Sequence, residues 1–517
     1  MSTAQSPIRK INMLFTQEIW EKYVNRIEDK FRLKTYPQFD PYFDFPKEKD
    51  KLLKLVFNEK KVAEHSFLPF VKILIKTPRY RHQENDDCYC LETKIRPISF
   101  ASHFDTYIYG FYSFAINELY QDYIKKRKFD SCVLAYRNDL EGKCNIQFAK
   151  EVFDIIKIVG QCSAIALDIS GYFDSIDHSI LKEKWCKIID QKELPADQYK
   201  IYRSLTKYCY INKNSLLKHF NISLSQRKKK KERWITLLDL IPDEISGSTF
   251  NNKMELLRKR KLLVTNKPQK NKDGTIRQKG IPQGTSMSAL LSNIYLIDFD
   301  EYLNSLAKSE GFYYKRYCDD IMIICKSDNV DDIKRTLSEE LNQKYRLKIN
   351  DRKTEIVDFR VDNKGKLRSF NHLKATQGLT SPSSTYANYK NLQYLGFEFN
   401  GQNVYIRPSS LSRYFRKMKN RITKTIIMAY SSKSKSQRIF KQQLFHRYSH
   451  LGTRNFLSYA INASKKCYKN SEGIVKEGFD SLSIRRQVSS HFSILQNEIS
   501  KTSGQIAKKM KAKFVKV

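Results

Sequence analysis

The sequence predicts an α+β fold, and three observations predict it. Short apolar runs end in acidic residues, as in "CSAIALDIS" (162–170) and "FYYKRYCDDIMIICKS" (312–327). Segments with apolar residues at helical spacing lie between them. A strongly basic block with a helical pattern follows from residue 401 onward. With 517 residues the chain is long enough for two to four lobes around a sizeable core.

Residues 1 to about 125 read as mixed helix and loop, with a long, partly buried helix over 103–127. "KCNIQFAKEVFDIIKIVGQ" continues as a helix with a glycine stop at Gly160. "CSAIALDIS" is short, apolar and ends its strand at Asp168, after which "YFDSIDHSILKEKWCKII" turns helical. Residues 190–275 are polar and charge-rich, with "RKKKKER" at 227–233 and the turn signal "NKDGT" at 271–275. They predict a helical insertion with flexible parts. "GIPQGTSMSALLSNIYLIDFDEYL" (280–303) reads as a Gly-rich loop running into an amphipathic helix. Residues 312–327 read as strand, turn, strand, followed by a helix at 328–345 and strands near 354–359 and at "YLGFEF" (394–399).

The chain carries 94 Lys and Arg against 55 Asp and Glu, a net charge of +39. From residue 401 on there are 25 Lys and Arg and only 4 Asp and Glu. Such a charge favours a polyanionic partner. Nucleic acid comes first and an anionic membrane surface second, because the 31 Tyr and 31 Phe offer faces on which bases stack. No apolar run reaches 18 residues, so no transmembrane helix is expected, and the N-terminus lacks the pattern of a signal peptide. The ten cysteines are scattered without a CxxC, which argues against a zinc ribbon and a disulfide framework. The expectation is a reduced, cytoplasmic protein without a membrane partner.

In a strand, neighbouring side chains point to opposite faces. Asp319 and Asp320 can serve one site only at a tight turn, and "RYCDDIMII" suits a hairpin there. Their like charges repel, more so when partly buried. A divalent cation resolves the conflict, and oxygen ligands favour Mg2+ or Mn2+. Taken alone, the pair is an ordinary turn. Asp168, at the end of a second apolar strand, changes the weighing: two such strand ends can converge on a two-metal site for phosphoryl transfer.

"ALDISGYFDSIDH", "GIPQGTSMSALLSNIYL", "YCDD", "LKINDRKTEIVDF" and "YLGFEF" occur in this order. They resemble the successive palm motifs of reverse transcriptases, especially the bacterial group of group II intron, retron and abortive-infection enzymes. Upstream, "KIRPISF" (94–100) and "VLAYRNDLEGKCNIQFAKE" (133–151) resemble the fingers motifs of that group. The resemblance covers roughly residues 90–400. It implies a right-hand polymerase: fingers, a palm with an antiparallel sheet, and a helical thumb-like C-terminal region. The limits that follow are 1–160 for the N-terminal region and fingers, 161–190 for the first segment of the palm, and 191–275 for a basic fingers insertion. The second segment of the palm is 276–400, and the basic helical thumb or C-terminal domain is 401–517.

Residue by residue, the resemblance makes Asp168 and Asp319 the metal-bridging carboxylates and Asp320 the third acid, with Ile169 belonging to the metal site. Lys353 matches a lysine that protonates the leaving pyrophosphate. Phe173 matches the ring that excludes a 2′-hydroxyl, though Tyr172 stands beside it and Asp174 follows. Gln283 and Gly284 match the loop that packs on the incoming nucleotide, and Arg96 with Lys94 matches the triphosphate contact of the fingers. Ser288 and Asn293 lie on the helix after that loop and are placed among the nucleic-acid contacts, as are Arg407, Arg413 and Lys417 of the thumb-like block. Ala289 stands where the family usually has Pro, which loosens the helix start, and "FA" replaces the usual "IP" after the fingers motif.

An HNH-type or zinc-like tail and the "VTG" element of retron enzymes are both missing, and the spacing from Asp168 to Asp319 is long. These departures resemble the defence-associated lineages. The resemblance therefore implies a reverse transcriptase using two Mg2+ ions, with Mn2+ as a substitute, in antiphage defence with a noncoding RNA as partner or template. Its further partners are dNTPs, the DNA product and other copies of the chain in a homo-oligomer. The alternatives are an intron- or retron-type enzyme, a template-independent or protein-primed DNA polymerase, an RNA polymerase, and a catalytically silent RNA-binding maturase.

Overall fold

The computed structural model describes residues 15–514 apart from 30, 35, 37, 84–87, 141, 223–235, 244–248, 271–273, 275, 373–388, 432–437 and 471. "RKKKKER" and most of "NKDGT" lie outside the described residues.

The chain's first long element is a hairpin of β1 (Phe70–Gln83) and β2 (Cys88–Phe100), paired from Val71 opposite Phe100 outward. β3 (Cys162–Asp168) belongs to a second sheet, whereas β4 (Cys209–Asn212) and β5 (Leu263–Thr265) return to the first. The first sheet has the order β2-β1-β4-β5, with β4 parallel to β1 at Phe70–Lys72. Two corrections follow. The N-terminal region is not only helix and loop, and residues 190–275 hold helices, among them Ala196–Thr206 and Phe250–Lys259, but also supply β4 and β5 to the hairpin's sheet. The hairpin escaped a reading by hydrophobic pattern because it carries charge along both strands and leaves its apolar residues in water: Ile75 is 47% and Ile95 52% exposed.

β6 (Gln269–Lys270) and β7 (Ile276–Arg277) form a small ribbon. β8 (Tyr313–Tyr317), β9 (Asp320–Cys325), β10 (Glu355–Val361) and β11 (Leu367–Asn371) join β3 in a central antiparallel sheet of order β11-β10-β3-β9-β8. Alternation along β3 and β9 sends side chains into two different cores. Ile165, Leu167, Ile321 and Ile323 face a core built with the helices His103–Lys126, His178–Ile189, Ser286–Tyr295, Ile297–Glu310 and Val330–Tyr345. Ala164, Met322 and Ile324 face the other, built with the helix Asn145–Val159 and the C-terminal elements. Burial on both faces is why these strands read as nearly unbroken apolar runs.

β12 (Leu392–Tyr394), β13 (Phe397–Phe399) and β14 (Val404–Ile406) form a three-stranded sheet packed into that second core. "YLGFEF" is therefore not one strand. Leu395 and Gly396, with φ 45° and 94°, make a two-residue turn that folds Tyr394 back against Phe397. The C-terminal block is largely helical, but it also holds β14 and the ribbon of β15 (Cys467–Lys469) and β16 (Val475–Glu477). Among the described residues no helix is long and apolar enough to cross a membrane.

The stretch 280–303 splits at Leu296 into two helices. Thr285 caps the first by accepting from Ser288 N at 3.0 Å, which fixes the helix start without the usual Pro. The second supplies Asp300, fully buried and paired with fully buried Arg316 of β8 through Nε at 2.7 Å and a second nitrogen at 2.5 Å. Tyr314 donates to the same carboxylate at 2.7 Å. Arg316 also donates to the carbonyl of Cys318 at 2.9 Å, so the pair ties the β8–β9 turn to the helix behind it. Removing either partner strands a buried charge. Asp300→Ala is expected to lose about 3–5 kcal/mol in urea unfolding, and Asp300→Leu with Arg316→Met to recover some of that loss.

Candidate active site

Asp168 ends β3 and stands directly opposite Asp320, the first residue of β9. Directly opposed residues of an antiparallel pair share a face. Asp319 sits in the two-residue turn, and its carbonyl accepts from Ile169 N at 3.1 Å. The three carboxylates thus gather at one end of the central sheet. The turn places Cys318 in the left-handed region, φ 58°, a conformation costing roughly 1–2 kcal/mol for a residue with a Cβ.

The chain beyond β3 is held from the other side. Ser170 N donates to Lys348 O and Asn350 N to Asp168 O, both at 2.8 Å. This brings Lys353, in the 3-10 turn Asp351–Lys353, onto the Asp168 carboxylate, where its ammonium is hydrogen-bonded. Asn350 Nδ2 stands 3.5 Å from the same oxygen. Burial, then the charges of Asp319 and Asp168, push Asp320 up to about 7, against partial relief from Lys353 and Arg407. Burial and then Asp168 raise Asp319 as well. As they stand the carboxylates are not drawn into a ligand set: among the described residues no group of three or more His, Cys, Asp or Glu side chains is placed to hold a metal ion. The chemistry of the donors nonetheless fits a hard divalent cation, since carboxylate oxygens converge with repelling charges that two cationic side chains offset only partially.

The loop at Gln283 and Gly284 docks on the end of β2, with Ser99 N donating to Gln283 O at 2.8 Å. Gly284 has φ 131°, and a Cβ there would lie 2.6 Å from Ser99 O and 3.1 Å from Ile98 Cγ2. Only glycine fits. Lys94, Arg96 and Ile98 fall on one face of β2, the face that meets this loop; Arg96 is exposed and Lys94 half-buried. Tyr172 and Phe173 separate clearly. Tyr172 is buried with its hydroxyl bonded to the carbonyl of Ser292, whereas Phe173 is half-exposed. The carbonyl of Phe173 accepts from Ile281 N at 2.9 Å, which fixes the ring's backbone against the nucleotide loop.

Ser288 and Asn293 are corrected. Both are fully buried and bonded inward: Ser288 Oγ donates to Pro282 O at 2.7 Å, and Asn293 Nδ2 to Ala135 O at 2.8 Å. They build the helix and its neighbours and do not face a nucleic acid. Arg407, at the start of the helix Pro408–Ala429, is exposed and lies within electrostatic reach of Asp320. Arg413 is half-exposed and Lys417 exposed on that helix, off its buried seam of Tyr414, Met418, Ile422 and Ile426. The sequence reading missed Asp177. This side chain caps the helix His178–Ile189 and accepts from Arg277 at 3.0 Å and Arg346 at 2.7 Å. An Asp just before a helical run was the available signal.

Residues 187–399 match the reverse transcriptase (RNA-dependent DNA polymerase) family. The match spans 213 of the chain's 517 residues and is to a domain of the RNA-directed DNA polymerase class, which in general depends on a divalent metal. The match takes in Gln283, Gly284, Asp319, Asp320 and Lys353. It leaves Asp168 and Phe173 upstream, and strand register brings Asp168 to the reverse transcriptase domain's carboxylates. No curated protein matches the chain in sequence. Among solved structures, a C-terminally truncated apo telomerase from Candida tropicalis is 12% identical, with 71% of this chain and 61% of that one covered and a TM-score of 0.32. Telomerase from the same species with a TWJ fragment of telomeric RNA is 14% identical, with 90% and 59% covered and a TM-score of 0.34. The chain thus spans about three-fifths of these telomerases.

Burial alone would raise Asp177, but hydrogen bonds from Ser179, Arg346 and Arg277 outweigh it and hold the carboxyl at about 2. An unfolded Asp titrates near ~3.9. The stabilisation is therefore full above about pH 4 and is lost as pH falls toward the folded value. Asp177→Asn is expected to cost about 2 kcal/mol in urea unfolding at pH 7, with the gap to the parent protein narrowing below about pH 4.

Proposed function

We propose that this chain is a DNA polymerase that copies RNA, extending a primer with dNTPs, and that it serves antiphage defence with a noncoding RNA as template or partner. The observation that carries the polymerase reading is the register that sets Asp168 opposite Asp320, with Asp319 in the joining turn and Lys353 on Asp168. Asp168, Asp319 and Asp320, with the backbone of Ile169, are the residues that would hold two Mg2+ ions, Mn2+ substituting. Bound there, such ions supply Lewis-acid stabilisation of the attacking and leaving oxygens.

The rest follows from the chain's own groups. Gln283 and Gly284 form a floor for the incoming nucleotide, close enough to β2 that Arg96 and Lys94 face its triphosphate. The forked donors of Arg suit that charge. Phe173, the exposed one of the two rings, stands where a 2′-hydroxyl would be excluded. Lys353 holds a proton beside Asp168 for the departing pyrophosphate. The basic C-terminal helices, with Arg413 and Lys417, track duplex phosphates, and Arg407 lies within electrostatic reach of Asp320. On this reading 1–160, 191–275 and 401–517 serve as fingers, fingers insertion and thumb, and 161–190 with 276–400 as palm. The defence role is supported by the enlarged segment between Asp168 and Asp319 and by the sequence after "YLGFEF", which lacks the retron "VTG" element.

Asp319→Asn is expected to lower dNTP incorporation on a primed RNA template at least about 100-fold, and Asp320→Asn to lower it less. Equal product from Asp319→Asn and the parent protein would sink the reading. Phe173→Ala should raise use of rNTPs relative to dNTPs by about tenfold or more, scored by paired extension assays. Arg413→Ala with Lys417→Ala should flatten the slope of log affinity for an RNA–DNA duplex against log salt by about 0.7–0.9 per lost contact. The defence role is tested by phage plating on cells carrying the parent or Asp319→Asn gene. Equal protection by both would overturn a role that depends on synthesis.

A further inference from the structure

Tyr136 lies in the fingers motif "VLAYRND", and nothing above assigns it a role. The segment before it runs along the outer edge of β8, the last strand of the central sheet. Leu134 N donates to Arg316 O at 2.9 Å, and Val133 bridges to Arg316 in parallel register. Asn293 Nδ2 holds the carbonyl of Ala135 at 2.8 Å. On the other side, Arg137 is locked to Asp139 at 2.9 and 2.6 Å and donates back to Val133 O at 3.2 Å. Val133, Leu134 and Ala135 are buried. Tyr136 itself is 46% exposed.

Between these two clamps Tyr136 adopts φ 59°, in the left-handed region. Its phenol lies within electrostatic reach of the Cys318 thiol and of Asp319. Cys318 has φ 58°. Two side-chain-bearing residues in a disfavoured conformation therefore meet at the carboxylate turn. Asn or Gly would adopt this backbone more readily than Tyr. A half-exposed ring gives up little by leaving its site, so core packing does not account for the residue type. Strain held in place by its surroundings and set beside reactive groups is a sign of function.

We propose that the ring of Tyr136 is the platform on which the base at the primer's 3′ end stacks, so that Tyr136 is a substrate-binding residue that places the attacking hydroxyl over the Asp319 turn. The proposal rests on the polymerase reading above. Clamped on both sides, the backbone presents the ring beside the Asp319 turn with nearly half of its surface open to the base. Stacking of this kind tolerates every base, as a polymerase requires.

The test uses the full chain and a DNA primer with 2-aminopurine at its 3′ end, annealed to an RNA template. Parent protein and Tyr136→Phe should quench the fluorophore on binding, and Tyr136→Ala and Tyr136→Gly should not. KM for the primer–template should rise about tenfold or more in Tyr136→Ala and Tyr136→Gly, with KM for dNTP changed less than about twofold. Tyr136→Gly relieves the backbone, so it should melt no earlier than the parent protein. A merely structural tyrosine would instead lower the melting temperature and leave the KM for primer unmoved. If the parent and Tyr136→Ala extend the primer with equal KM, the proposal fails and the polymerase reading stands. If the parent extends no primer, the polymerase reading fails and this proposal with it. Labelled dNMP bound covalently to the parent protein but absent from Tyr136→Phe would also overturn the proposal, because the phenol would then be the nucleophile.

Discussion

The guanidinium of Arg316 lies wholly out of water, held by Asp300 through two nitrogens while a third reaches the carbonyl of Cys318 and Asn293 Oδ1. The carboxylate end of the sheet depends on this arrangement. It joins the helix Ile297–Glu310, the helix Ser286–Tyr295 and β8, and through Cys318 it fixes the turn that presents Asp319. The backbone of Arg316 takes the edge segment Val133–Leu134 on its other side. One buried charge pair thus sets the position of the carboxylate turn, of the helix that follows the nucleotide loop, and of the strand that leads to Tyr136. A hydrophobic pair of the same volume would fill the space but would leave the Cys318 carbonyl and Asn293 without their donor.

Around this anchor the site is built from groups that oppose one another. Asp319 and Asp320 are pushed up by burial and by neighbouring carboxylates, and Lys353 and Arg407 offset that only partially. Cys318 and Tyr136 are held in left-handed backbone by bonds on both sides. Charge repulsion and backbone strain are both unfavourable to the isolated fold. They persist because the sheet register, the clamp at Arg137 and the Arg316 pair leave the backbone no other path. The end of the sheet is accordingly held in one geometry, with repelling carboxylates whose conflict a cation would relieve.

Asp177 has the corresponding role in the next layer out. It binds Arg277 of β7 and Arg346 at the end of the helix Val330–Tyr345, and its own N–H is held at 3.2 Å by the Tyr295 hydroxyl. Phe173 and the nucleotide loop are thereby tied to the segment that carries Lys348 and Asn350. The two sides of the site close on each other through backbone bonds at Ser170 and Asp168. The geometry around the carboxylates is a product of these cross-links, which come from stretches of the chain 100 or more residues apart.

The sequence by itself determined four of the five central strands, the carboxylates at their ends, the long helix after Ser102 and the Gly at position 284, because each leaves a local mark; β11 was not legible. Strands buried on both faces are apolar throughout, a hairpin turn breaks such a run, and a close backbone approach admits only glycine. It also determined the basic C-terminal surface through composition. The tertiary structure alone decided which of Tyr172 and Phe173 is exposed and that Ser288 and Asn293 face inward. It also decided that "YLGFEF" folds at Leu395–Gly396 and that residues 190–275 supply two strands to the β1–β2 sheet. These outcomes turn on burial and on pairing between distant segments, and neither is encoded in a local pattern. The first sheet is the clearest case: β1 carries charge on both faces and β4 and β5 are only four and three residues long, so only the β1–β4 pairing reveals the sheet.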